Sequence, residues 1–320
     1  MMAVTSTSST PVAEALGMSH DVLIPGERAW LDEYAEVRRR TGFQTVHHVW
    51  LMPLARNLHG KGAPLLDGLA GDVLFKSTYV SDALLAEQDP ALQSRLLWEG
   101  LKNNRLRANE FLRPEVAASF IDCSKDAFRS AMAPFSGHEA AVTLGKLHTR
   151  AARAIAPSPL WLFGPEIDVE LPFLQPEVIR AGLRVPLASK TNGDFYRRMV
   201  AAADSRIAAL RSTNDGGLPA PAGPRRQTSP ESLKVLSEQI GSSAIVMNLL
   251  TPEARHSILE PSFPGRPGRQ RRKLAMLHWA SLFAHWLEHH ESDLAPEDFR
   301  RRSLEPIKVL ARTCRGATVH

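Results

Sequence analysis

At 320 residues the chain can bury a sizeable core, and 43% hydrophobic against 23% charged residues excludes a disordered polymer. No apolar run reaches the ~18 residues that span a bilayer, and the opening MMAVTSTSSTPVAEALG lacks the basic-then-apolar order of a secretion signal. The net charge of +5 has its densest runs at 266–273 and 300–302, without the aromatic interleaving or recognisable module of a nucleic-acid site.

In chain order, Thr10 as a cap with Pro11 behind it predicts a helix over 10–17, stopped by Gly17. Asp21 to Ile24 reads as a short strand ending at Pro25-Gly26. Trp30, Leu31, Tyr34 and Val37 place one apolar face on a helix over 28–40. A further helix over 46–59 is released by Gly60 and Gly62 into a second strand ending at Leu65-Leu66. Strands alternating with helices in this way predict a parallel sheet covered by helices. Beyond residue 80 strand signals nearly vanish. Helices are expected over 90–107, 114–132, 137–155, 174–184, 193–210, 229–249, 252–260, 269–291 and 303–313. Proline and glycine mark loops at 216–226 and 261–268, and no internal repeat is present. Cys123 and Cys314 sit in no metal or redox spacing, so a reducing cytoplasmic compartment is the expectation.

The second strand runs into Asp67-Gly-Leu-Ala-Gly-Asp72. In parallel α/β sheets ligands sit beyond the carboxyl ends of strands, where helix N-termini converge. Glycine allows a sharp turn and close backbone approach, unpaired N–H groups suit phosphate, and a neighbouring aspartate supplies a hard oxygen for Mg²⁺. Equally, Asp67 and Asp72 can serve as caps for the turn and the helix.

This segment resembles the signature loop of the asparagine synthetase family, Ser-Gly-x-Gly-(Ala/Gly/Ser)-Asp-Glu-(Leu)-Phe, at Gly68, Gly71, Asp72, Leu74 and Phe75. Leu171-Pro-Phe-Leu174 is similar to that family's Arg-x-Pro-Phe-Leu-Asp motif, with Arg150 and Arg153 in a helix before it and residues 178–186 after it. A third likeness lies at 12–20, similar to Ala-x-x-Leu-Gly-x-x-His before an early strand. The resemblance covers about residues 10–215. It implies an α/β fold, an incomplete nucleotide-hydrolase-like parallel sheet followed by a large mainly helical region. Its divisions would be a synthetase-like domain at 1–215, a Pro/Gly-rich linker at 216–228 and a helical C-terminal region at 229–320. It implies an ATP- and Mg²⁺-dependent ligase that adenylates a small-molecule or peptide carboxylate, which ammonia or an amine then attacks to give an amide. In that scheme Asp67, Gly68, Leu69 and Gly71 line the nucleotide pocket and Asp72 holds the metal.

The departures are specific. No Ser-Gly-Gly-x-Asp-Ser pyrophosphate loop occurs in the 320 residues. Asp67 replaces the usual serine, Leu69 stands where asparagine synthetases place a glutamate, Val73 replaces the next acidic residue, and Gln175 replaces the aspartate after Pro-Phe-Leu. The family's lysine after that motif has no counterpart, Lys190 being near and residues 194–197 occupying its place. The expectation is therefore the C-terminal part of a longer or split synthetase, with a second chain supplying the missing strands or the ammonia. The alternative is a non-catalytic relative that serves a biosynthetic complex as an interaction protein. His278, His285 and His289 could share one helix face, but the tryptophans and phenylalanine among them make that helix a packing element. Ser136-Gly-His138 has no hydrolase context, and 211–215 reads as a polar helix exit.

Overall fold

A computed structural model describes residues 10–21, 23, 29–46, 48–62, 64–76, 80–101, 108–164, 167–191, 193–210, 230–259 and 267–290. The first part contains α1 (Thr10–Leu16), α2 (Ala29–Arg40), α3 (Met52–Leu58), β1 (Leu65–Leu66), α4 (Gly71–Phe75), α5 (Asp82–Ala86) and α6 (Pro90–Leu101). Then come α7 (Ala108–Phe111), α8 (Pro114–Met132), α9 (Ala141–Lys146), β2 (Val169–Glu170), α10 (Pro176–Arg184), α11 (Leu187–Lys190), α12 (Asp194–Ala203) and α13 (Ser205–Ala208). The last four are α14 (Pro230–Ser242), α15 (Ala244–Leu249), α16 (Pro252–Leu259) and α17 (Pro267–His289). The described chain is mostly helical, with one small parallel sheet in which Leu65 pairs with Val169 and Leu66 with Glu170. Among the described residues no helix is long and apolar enough to cross a membrane.

The largest core joins the two ends of the described chain. Trp30, Tyr34 and Val37 on one face of α2 meet Leu236 and Ile240 of α14 and Leu277, Ala280 and Ala284 of α17. Every third or fourth residue on each helix faces the other two, as an amphipathic stripe requires. Polar groups fasten the same contact: Ser281 Oγ donates to Gln239 Oε1 at 2.9 Å, and Arg38 reaches that oxygen at 3.4 Å. Burial pushes the Tyr34 hydroxyl up to about 12, so it stays neutral and can donate to the His278 carbonyl at 3.5 Å. The expected C-terminal helical region is thus built into the core that contains α2. A smaller cluster closes α5, α6, α8 and α9 around Leu84, Leu97, Met132 and Val142. A third packs Ala70, Leu74 and Phe75 against side chains of α10 and α12.

Several expected elements are revised. Asp21 and Leu23 belong to no strand and are exposed, with no strand beside them among the described residues; Val22 and Ile24 lie outside those residues. The helix expected over 46–59 starts only at Val49, with one 3₁₀ turn before α3. The run over 229–249 breaks at Ser243, whose hydroxyl accepts the Val246 N–H and starts α15 afresh. Asp204 breaks 193–210 in the same way, accepting from the Arg206 N–H at 2.8 Å. Pro267 and Gly268, expected in a loop, open α17, where a first-turn proline loses no helical hydrogen bond. Over 137–155, α9 widens into a π-helical stretch, Leu147–Ile155, followed by another at Ser158–Leu162. Pro157 and Pro159 lack the N–H groups that α-helical pairing to residues 153 and 155 would use. The helices expected over 102–107 and 303–313, and the loop over 216–226, lie outside the described residues.

His285 sits at the α2–α17 contact with Arg38 on one side and Glu288, whose Oε2 is 3.2 Å from its Nδ1, on the other. Its Nε2 is buried without a hydrogen-bond partner. Burial, reinforced by Arg38, lowers its pKa below the ordinary 6.5 despite Glu288. The folded chain therefore holds this imidazole neutral, and the unfolded chain gains the proton first as pH falls. Stability is expected in full above about pH 6.5 and to drain below it. Urea midpoints measured from pH 7.5 down to 5.5 should fall, and less steeply in His285→Gln.

Candidate functional site

Two hydrogen bonds fix the start of the turn. Leu65 N–H donates to the Asp168 carbonyl at 2.8 Å and Asp67 N–H to the Glu170 carbonyl at 3.0 Å, the ladder of a parallel pair. The chain then closes on itself. Asp67 Oδ1 accepts the Leu69 N–H at 2.8 Å, and Gly71 N–H donates to the Gly68 carbonyl at 3.1 Å. Ala70 takes a left-handed φ of 73°, a conformation that costs a non-glycine residue about 1 kcal/mol and persists when its surroundings impose it. Its carbonyl accepts the Leu74 N–H at 2.9 Å and α4 begins. The expected strand, turn and helix are all present at 65–75. The N–H groups of Leu69 and Gly71 are both spent inside the turn.

The two glycines differ in what holds them. A Cβ on Gly71 would lie 3.1 Å from the Phe173 ring, which Phe75 pins edge-on at 5.9 Å between centroids. A Cβ on Gly68 would meet nothing within 4 Å, because that side opens toward a cavity. The Leu-Pro-Phe-Leu segment thus supplies the back of the turn, and β2 delivers it there.

That cavity, about 270 Å³, is walled by Asp67, Gly68, Leu69, Ala70 and Asp72 of the turn and by Arg150 of the π-helical stretch. Its volume falls just below the range of about 300–1,000 Å³ that holds drug-sized ligands. His48, Trp50 and Ser158 line it as well, with His48 Nδ1 hydrogen-bonded to Ser158 Oγ. Of the residues expected at the site, Asp67, Gly68, Leu69 and Asp72 line this cavity. Gly71 faces Phe173 instead, and Leu69 presents a buried apolar wall.

Behind the turn lies a cluster that the motif comparison does not indicate. Lys146 is 2% exposed and Lys190 1% exposed. Burial brings the Lys146 ammonium down to about 8; Asp72 opposes this, and Lys190 and Arg150 add to it. Lys190 Nζ donates to the Gly182 carbonyl at 2.6 Å, and burial lowers its pKa as well. In sequence Arg150 and Lys190 stand out only by position, and Lys146, His48 and Ser158 by nothing. The usable signal is the pair Lys146 and Arg150, four residues apart on one helical run ahead of the Leu-Pro-Phe-Leu motif.

For the Mg²⁺ implied by the resemblance the cavity wall offers two carboxylates, Asp67 and Asp72. No group of three His, Cys, Asp or Glu side chains able to hold a metal occurs among the described residues. Asp72 has the buried ammonium of Lys146 within electrostatic reach, and a resident dication there would be repelled by Lys146, Lys190 and Arg150. Comparison of the chain with protein-family models, curated proteins and solved structures gives no match.

The packing gives a stability test. Gly71→Ala forces overlap with a pinned ring, a cost of about 1–3 kcal/mol that the alanine's helix propensity offsets by up to about 1 kcal/mol. Urea denaturation should show a net loss for Gly71→Ala, of up to about 3 kcal/mol. Gly68→Ala should stay within about 0.5 kcal/mol of the parent.

Proposed function

We propose that this chain carries a nucleotide-hydrolase-like ligase site of the asparagine synthetase type, which activates a carboxylate as its adenylate for attack by an amine. What supports the reading is the parallel register of β1 and β2. It brings the Gly-Leu-Ala-Gly-Asp turn and the Leu-Pro-Phe-Leu segment, a hundred residues apart, to the end of one sheet and seats Phe173 on Gly71. Two stretches that resemble one family in sequence then meet as one structural unit, with a cavity on its open side.

The chemistry this asks of the chain is modest. A carboxylate is a poor electrophile until it bears a leaving group, and the site must orient the acyl phosphate and stabilise the charge of departing pyrophosphate. Gly68, with open space where a side chain would be, is the place where the ligand comes closest to backbone. Arg150 supplies positive charge on the facing wall. Leu69 provides no base at the position where asparagine synthetases carry a glutamate, so deprotonation of the amine falls to another group or to the solvent.

A second reading, a non-catalytic relative that binds a partner in a biosynthetic complex, draws on two large apolar side chains. Trp50, on the cavity wall, is 65% exposed, and Leu66, at the end of β1, is 67% exposed.

Calorimetric titration with ATP separates the two. The ligase reading expects saturable binding that Gly68→Ala weakens by about tenfold, or about 1.4 kcal/mol, without lowering the unfolding midpoint. No heat of ATP binding by the intact chain, with or without Mg²⁺, would remove the ligase reading and leave the partner-binding one.

A further inference from the structure

The end of α2 carries more positive charge than its carboxylate balances. Glu36 accepts from Arg39 at 2.8 Å and from Arg40 Nε at 2.7 Å, so one carboxylate serves two guanidinium groups. Arg40 is held further by the Leu162 carbonyl at 2.7 Å, whereas the Arg39 side chain is 71% exposed. Both arginines line an open groove of about 510 Å³, together with Gly42, Gln44, Leu160 and Trp161. Leu160 and Trp161 are each 43% exposed, so two large apolar side chains face solvent beside a surplus cation. Such a surface suits an extended segment that carries both acidic and apolar side chains.

The last turn of α17 leads to this place. The His289 ring lies 5.3 Å from that of Phe43, the residue between Gly42 and Gln44 of the groove wall. Glu288, one residue earlier, is within electrostatic reach of Arg38. Residues 291–299, Glu-Ser-Asp-Leu-Ala-Pro-Glu-Asp-Phe, lie outside the described residues. In a chain of net charge +5 this stretch has four acidic side chains and no basic one, and it includes Leu294 and Phe299. Nine extended residues reach up to about 30 Å, ample for a groove that adjoins the end of α17. We propose that residues 291–299 dock in this groove within the same molecule, with their carboxylates toward Arg39 and Leu294 against Leu160 and Trp161. Charge complementarity selects an acidic occupant. Tethering selects this one, because a short covalent link raises local concentration to the order of millimolar. The stretch Ser158–Leu162 contributes Ser158 and Pro159 to the cavity beyond the turn and Leu160 and Trp161 to this groove. Docking therefore braces a wall of that cavity, whatever the cavity binds, and the proposal does not rest on the ligase reading.

Fluorescence anisotropy with a labelled peptide of residues 290–299, added to the full chain, tests this. In a chain whose own segment is disabled by Asp293→Lys, Leu294→Ser and Asp298→Lys, the peptide is expected to bind saturably, and more weakly as salt is added. The parent, its groove already filled, should bind the peptide weaker by about tenfold or more. Adding Arg39→Glu or Trp161→Ala to the disabled chain should remove binding, with circular dichroism to confirm that each variant folds. Equal affinity of the parent and the disabled chain means that the parent's groove is empty and overturns the proposal. Absence of binding to the disabled chain also overturns it and leaves the groove to a separate acidic partner. Binding that survives both Arg39→Glu and Trp161→Ala puts the peptide elsewhere, with the same consequence. A parent dimer by light scattering that dissociates on introducing the three substitutions assigns the docking to a second copy and overturns the intramolecular form.

Discussion

Two main-chain hydrogen bonds, from Leu65 N–H to the Asp168 carbonyl and from Asp67 N–H to the Glu170 carbonyl, carry the geometry of the site. They are few, and a two-residue parallel pair has little stability of its own. What keeps it is the packing on either side. Leu65 and Val169 are partly buried against the large helical core, while Phe173, just past β2, is clamped between Gly71 and Phe75. The turn can be strained at Ala70 because both of its ends are fixed, one by the ladder and one by the buried side chains of α4. Loss of the pairing would leave a left-handed alanine with nothing to hold it there.

The helices follow from the sequence because apolar residues at three- and four-residue spacing have one low-energy solution, and α2, α8 and α10 take it nearly as read. The breaks inside long helical runs were less visible. Ser243 and Asp204 are ordinary polar residues until their side chains turn back to cap a new helix, a choice decided by where the next apolar face must point. The π-helical widening after Lys146 has no counterpart in the apolar spacing, which suits an α-helix equally well. At the site, Asp67, Gly68 and Asp72 were legible because a strand ending in a Gly-rich acidic turn is itself a pattern. His48 and Ser158 were not, since nothing in a lone histidine and a serine 110 residues apart says that they meet.

Lys146 and Lys190 show why the electrostatics were the least legible part. In sequence a lysine within a helical run reads as a solvated face, and for most lysines that is correct. Here α9 packs on α4, and Gly182, having no side chain, lets α10 come down on Leu74, where a Cβ would lie 3.0 Å from that side chain. The same close packing puts the Gly182 carbonyl within 2.6 Å of Lys190 Nζ. Tight approach of helices therefore creates both the apolar third cluster and the buried charge beside it. The motif residues of the turn are set against that charge, a relation that the motif itself does not contain.

That relation changes what Asp72 is for. A carboxylate on an open turn, with phosphates before it and water around it, is available to a hard cation. The same carboxylate with a buried ammonium within electrostatic reach offsets part of the cost of burying that ammonium, and committing it to a metal would take that share away. The energetic sign thus turns on the neighbours and not on the aspartate.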